Sequence, residues 1–137
     1  MNKEIIYKKI EQINVLISEL NEWINSFDFL NNIKLIRACE RNFQLIIDLA
    51  IDINTQILIE KTNETPETYK DSFLGLLKLG IISDDLVYKL IKGVSVRNIL
   101  VHEYDFEEDY KKFSEAVLEL IPYYKEYLKS IVSFLKN

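Results

Sequence analysis

The chain predicts an all-α fold, an antiparallel bundle of about five helices with the last one kinked or split at Pro122. Three glycines and two prolines in 137 residues are too few for the tight turns of a many-stranded sheet. Apolar residues recur at steps of three and four along most of the length, which is the period of a helix face. Cap and stop residues punctuate the sequence at wide intervals. The length suits one domain with a real core and leaves no room for a second, so residues 1–137 are expected to form a single domain.

Ile6, Ile10, Ile13, Ile17, Leu20 and Ile24 make one apolar stripe on a first helix. Ser26 or Asp28 can cap a second helix that runs to about Lys61 without proline or glycine. From Phe43 to Ile59 that helix is apolar on most sides and calls for cover on more than one face. A polar row spaced by four, Glu40, Gln44, Asp48, Asp52 and Gln56, breaks it and reads as a solvent stripe or a dimer seam. Thr65-Pro66-Glu67 supplies a cap and a proline at the first position of a short third helix, which Gly80 stops. Ser83-Asp84-Asp85-Leu86 opens a fourth helix, with Leu86, Leu90, Ile91 and Val94 pointing inward. Asp105 with Glu108 resembles a capping box for a fifth, whose apolar positions continue from Phe106 to Leu135. Pro122 lacks a backbone donor and crowds the preceding turn, so a kink or break is expected near Leu118 to Ile121.

No apolar run approaches the roughly 18 residues that cross a bilayer, and Lys3, Glu4, Lys8 and Lys9 stand where a signal peptide would be apolar. Cys39 is the one cysteine and is expected in the core. A cytoplasmic protein without membrane contact follows. The net charge of −5 works against general nucleic-acid affinity, so any RNA contact must be local. Lys34, Arg37 and Arg41 form a basic ridge and are the candidate RNA track, although a solvated face paired with Glu40 explains them as well. Tyr7, Phe113, Tyr123 and Tyr127 sit at helical spacing, which favours packing over base stacking.

The chemistry-bearing set is Arg97, His102 and Tyr104, within Arg97-Asn98-Ile99-Leu100-Val101-His102-Glu103-Tyr104. With three arginines, one histidine and eight tyrosines, chance gives one fixed spacing on the order of one time in a thousand. This R-x4-H-x-Y pattern resembles the HepT branch of HEPN-domain ribonuclease toxins. The likeness extends to Glu40-Arg41-Asn42-Phe43-Gln44, Ile51-Asp52-Ile53, Pro66 to Phe73, Gly80-Ile81-Ile82 and Val96 to His102, covering about residues 30 to 130. It implies a HEPN-type bundle and metal-independent RNA cleavage by a homodimer whose signature helices meet at a shared cleft, with no cofactor. It further implies neutralisation by an MNT nucleotidyltransferase antitoxin that AMPylates Tyr104, and a larger hetero-oligomer with that partner.

The residue types fit that chemistry. Attack by a ribose 2′-hydroxyl needs proton transfer, which His102 can provide near neutral pH, and a cation at the phosphate, which Arg97 provides. On a regular helix Arg97 and His102 point about 140° apart, whereas Asn98 and His102 share a face, so Asn98 is placed to orient the imidazole. Arg97 of one subunit would then meet His102 of the other. Tyr104 shares the Arg97 face, where an added phosphate would occupy the cation. Glu103, Asp105, Glu107, Glu108 and Asp109 follow the signature and should raise the His102 pKa and repel phosphate. Two non-enzymatic readings compete: a helical module that docks a nucleotidyltransferase or binds nucleotide, and a plain dimerisation bundle. A lone histidine near a helix end is often just a charge partner; the complete triplet favours the enzyme, since a scaffold needs none of it.

Overall fold

The structure, a computed structural model, describes residues 1–99 and 107–137. Every regular element among them is helical: α1 (Lys3–Ile24), a 3-10 turn (Phe29–Asn31), α2 (Ile33–Thr62), α3 (Tyr69–Lys78), α4 (Asp84–Ile99) and α5 (Glu107–Lys136). No helix among these residues is long and apolar enough to cross a membrane.

The Asn2 side chain caps α1, and the six residues of the expected stripe are its buried face. The cap expected for α2 is displaced. Asp28 makes no cap bond and Ser26 bonds back to the Glu22 carbonyl, while Asn32 accepts from the Leu35 N–H. Burial of Phe29 turns the chain through the 3-10 segment before α2 can begin, and this moves the start to Ile33. α2 ends at Asn63 in the left-handed region, φ 59°. α3 likewise begins later than Thr65-Pro66 implied. Its cap is Thr68, bonded to the Asp71 N–H, and that start turns Ser72, Phe73 and Leu76 inward. Gly80 stops it as expected, with φ 76°, the Gly80 N–H on the Leu77 carbonyl and the Ile81 N–H on the Leu76 carbonyl, a Schellman closure. Ser83 caps α4 through the Leu86 N–H.

Pro122 does not split the last helix, and α5 is continuous from Glu107 to Lys136. The proline itself is exposed, whereas Leu120, Ile121 and Tyr124 around it are buried, so packing holds the helix across the missing hydrogen bond. The expected Asp105 cap and the inward Phe106 lie outside the described residues.

α2 lies against α1, α3 and α4, and α5 closes the bundle on α1 and α4. Such enclosure is what the apolar middle of α2 required. Cys39 is in this core, and burial, with Glu40 beside it, pushes its thiol up to about 12. Two buried tyrosines of α5 fasten the layers. The Tyr127 hydroxyl lies 2.6 Å from Asn54 Oδ1 and 3.1 Å from the Ala50 carbonyl, Asn54 Nδ2 donates to Ser72 Oγ at 3.2 Å, and Ser72 Oγ donates to the Tyr69 carbonyl at 2.8 Å. The Tyr124 hydroxyl donates to the Leu90 carbonyl at 2.7 Å, and its ring lies so close to Gly93 that a Cβ there would overlap the hydroxyl and the ring. A glycine inside a helix costs about 1 kcal/mol relative to alanine, and here it is what lets α4 lie on the Tyr124 ring.

Replacing Tyr127 by phenylalanine keeps the ring's edge contact with Phe73 but leaves the Asn54 oxygen without its donor. The expected loss is about 1–3 kcal/mol in denaturant unfolding, the cost of an unsatisfied buried polar group. An unchanged midpoint would show that the relay carries no stability.

Candidate active site

Gly93 and Tyr124 set how closely α4 approaches α5, and one turn further on Arg97 leaves α4. Its side chain is largely enclosed, with 20 % exposed. Arg97 Nε and Nη2 both reach Asp48 Oδ1 of α2 at 3.2 Å, and its guanidinium lies 5.3 Å from the centroid of the Tyr69 ring at the start of α3. A half-enclosed ion pair contributes at most about 1 kcal/mol and a cation–π contact about 0.5–1 kcal/mol. Their effect is orientation: two helices hold the fork from two directions, and Nη1 takes no part in the Asp48 contact. An arginine so held presents a permanent charge with Nη1 left out of the Asp48 pair, which suits a phosphate oxygen.

The backbone of Asn98 belongs to α4; its side chain, His102 and Tyr104 lie outside the described residues, as do Glu103 and Asp105. The expected sharing of faces among Arg97, Asn98, His102 and Tyr104 therefore falls outside them too. Lys34, Arg37 and Arg41 are all exposed on α2, away from the core. Arg37 is occupied: Nη1 pairs with Glu40 Oε1 at 2.7 Å and the guanidinium lies 5.8 Å from the Tyr110 ring centroid.

The polar row of α2 is not a uniform solvent stripe. Glu40 is buried and holds Arg37, Asp48 holds Arg97, and Asp52 pairs with Lys9 of α1 at 3.5 Å. Asp48 and Tyr69 are the site residues that sequence reasoning missed. The four-residue spacing of the row flagged Asp48 as polar but could not show which helix it faced. Tyr69 carried no signal beyond its place in the third-helix resemblance. Of the aromatic residues weighed for stacking, Phe113 and Tyr127 are buried, and Lys89 lies over the Tyr123 ring at 5.3 Å.

Comparison with known proteins bears on this geometry. The family model "Ribonuclease HepT-like" matches residues 6–131. The tRNA nuclease HepT of Aphanizomenon flos-aquae is 31% identical over 133 residues, covering 96% of this chain and 90% of the relative. The mRNA nuclease HepT of Shewanella oneidensis is 29% identical over 102 residues, covering 74% of this chain and 77% of the relative. Among solved structures, the tri-AMPylated HEPN toxin of Shewanella oneidensis in complex with its MNT antitoxin superposes with a TM-score of 0.86 at 25% identity, covering 97% of this chain and 99% of that one. With the family model spanning all five helices, and the arginine that opens the signature held in place by two of them, the chain belongs to the HepT-like ribonuclease family.

Proposed function

We infer that the chain is the toxin of a HEPN/MNT toxin–antitoxin pair, an endoribonuclease that works in the cytoplasm as a single HEPN domain paired with a second copy. The observation that carries the reading is Arg97, clamped by Asp48 and Tyr69 five residues ahead of His102 in a HepT-like chain. The named relatives act on tRNA and on mRNA, and the substrate class they share is RNA.

The reaction needs no group beyond the chain and its substrate. A base takes the proton of a ribose 2′-hydroxyl, the oxygen attacks the adjacent phosphorus, and the bond to the 5′-oxygen breaks as that oxygen receives a proton. The products are a 2′,3′-cyclic phosphate and a 5′-hydroxyl end. His102 carries the proton, Asn98 orients the imidazole, and Arg97 balances charge on the phosphate oxygens. Arg97 of one subunit serves with His102 of the other. An MNT nucleotidyltransferase antitoxin silences the site by AMPylating Tyr104, because each added nucleotide sets a phosphate beside the cation meant for RNA.

Induced expression without antitoxin should arrest growth and fragment RNA. His102→Ala should lower cleavage about 10²–10⁴-fold, the usual contribution of a positioned acid or base. Equal harmlessness of the wild type and this variant would overturn the nuclease reading in favour of a binding module. Dimers pairing a His102→Ala subunit with an Arg97→Ala subunit should keep part of the activity; fully dead mixed dimers would rule out a shared site.

Asp48→Asn keeps the shape of the clamp and removes its charge. We expect kcat for RNA to fall on the order of 10-fold, less than for Arg97→Ala, because the guanidinium is left but loses its fixed direction. A kcat equal to that of the wild type would reduce the pair to a surface tie.

Mass spectrometry after co-expression with the antitoxin should find AMP on the Tyr104 peptide. An unmodified Tyr104 in an inactive complex would remove that mechanism.

A further inference from the structure

Three surface grooves of this bundle differ in charge. The one between α2 and α3 is lined by Glu64, Glu67 and Asp71 with one lysine, and the one between α1 and α2 is mixed, with Lys8 and Glu11. The third, about 550 Å³ between α1 and the C-terminal half of α5, has Lys125, Lys129 and Lys136 on its wall and no acidic side chain. Asn14 and Ser133 add neutral hydrogen-bonding groups, over a floor that includes the buried Ile10 and Leu128.

All three lysines are exposed, and none forms an ion pair with a carboxylate among the described residues. Other basic residues nearby are engaged. Lys3 donates to the Leu135 carbonyl, Lys9 pairs with Asp52, and Lys89 and Lys92 both bind Glu119. In a chain of net charge −5, three unpaired ammonium groups along one groove make a local positive stripe. At 1.5 Å per residue the three stand about 6 and 10 Å apart along the helix, a spacing suited to several phosphates of one strand.

We propose that this α1/α5 groove is a second RNA-backbone site, which holds substrate phosphates away from the cleavage centre. The proposal rests on the ribonuclease reading. The contacts between α4 and α5, Lys89 and Lys92 with Glu119 and Leu90 and Gly93 with Tyr124, bracket the distance. Counted along the helices from these ties, the axial separation from Arg97 is on the order of 10–20 Å to Lys125 and roughly 25–35 Å to Lys136. A substrate touching both ends must be several nucleotides long, so the groove favours long RNA and ignores short oligonucleotides. It also takes the part first given to the Lys34, Arg37 and Arg41 ridge, whose central arginine is already paired.

The test is the variant Lys125→Gln/Lys129→Gln/Lys136→Gln, all at exposed positions, with folding checked by circular dichroism. Binding of full-length tRNA is measured in the His102→Ala background, which needs no cleavage, and KM and kcat are measured in the otherwise wild-type chain. We expect Kd and KM for tRNA to rise at least about 10-fold at unchanged kcat, and the slope of log affinity against log salt to fall by about 2 for three lost phosphate contacts. KM for a four-nucleotide RNA should not change, and the triple Lys→Arg variant should bind tRNA as the wild type does. Unchanged tRNA affinity and salt slope would overturn the proposal. So would a variant that binds RNA normally but no longer binds the antitoxin, since the groove would then be a protein surface. Loss of cleavage by the unmodified chain together with intact, groove-dependent RNA binding would sink the nuclease reading and leave the groove standing.

Discussion

A chain of buried hydroxyl and amide groups, running from Tyr127 through Asn54 and Ser72 to the Tyr69 carbonyl, ties three helices of the bundle together. Apolar packing brings α2, α3 and α5 into contact, but its attraction is non-directional and summed over many weak contacts. Hydrogen bonds in a low-dielectric core are sensitive to position, since a shift of an ångström leaves a polar group unpaired at a cost of about 1–3 kcal/mol. Burial holds the Tyr124 and Tyr127 phenols well above the ordinary tyrosine range, so both stay neutral and able to donate. The relay ends on the backbone of Tyr69, the residue whose ring lies against Arg97. Core order is thereby passed to the site.

The second tyrosine governs the other coordinate. Tyr124 grips the Leu90 carbonyl and fills the space over Gly93, which fixes the height and rotation of α4 one turn before Arg97. The guanidinium then meets Asp48 and Tyr69 without searching, and the rotamer entropy of a long side chain is already spent in the resting fold. Asp48 does not cancel the useful charge. It takes Nε and Nη2 through one oxygen and is itself 37 % exposed, so solvent screens it while the Nη1 edge stays outside the pair. An acid on one helix and a ring on another hold the cation in one direction before any partner arrives.

How far the sequence disclosed this depended on whether the signal was local. The α1 stripe was legible because a helix buried on one face writes its period directly, and Ile6 to Ile24 are its buried residues. Gly80 and Ser83 were legible because their work is confined to neighbouring turns. The α2 cap was not, since Ser26, Asp28 and Asn32 have equivalent chemistry and the burial of Phe29 decides among them. The break expected at Pro122 is absent for a related reason: the proline's local cost is real, but the buried residues around it outweigh it. Asp48 and Arg97 are 49 positions apart, and an acid in a four-spaced row looks the same whether it meets water or a neighbouring helix. The roles expected of Arg97, His102 and Tyr104 rest on resemblance, because spacing on a regular helix separates the first two and gives no mechanism.

The remaining tension is between a negative chain and a polyanionic substrate. Phosphate affinity depends on the contacts made, not on the sum over the molecule, because each neutralised phosphate releases its own counterions. A net charge of −5 therefore suppresses diffuse attraction to every RNA in the cell while leaving room for a few placed cations. Part of the basic charge is held in pairs with the chain's own acids, such as Arg37–Glu40, Lys9–Asp52 and Lys92–Glu119. Charge along the grooves is sorted, with acids between α2 and α3 and lysines between α1 and α5. An enzyme built this way has little affinity to lose, and that makes it easy to silence. Where binding rests on a handful of cations, blocking one of them removes a large share of it, whereas a highly basic nuclease would need to be covered whole.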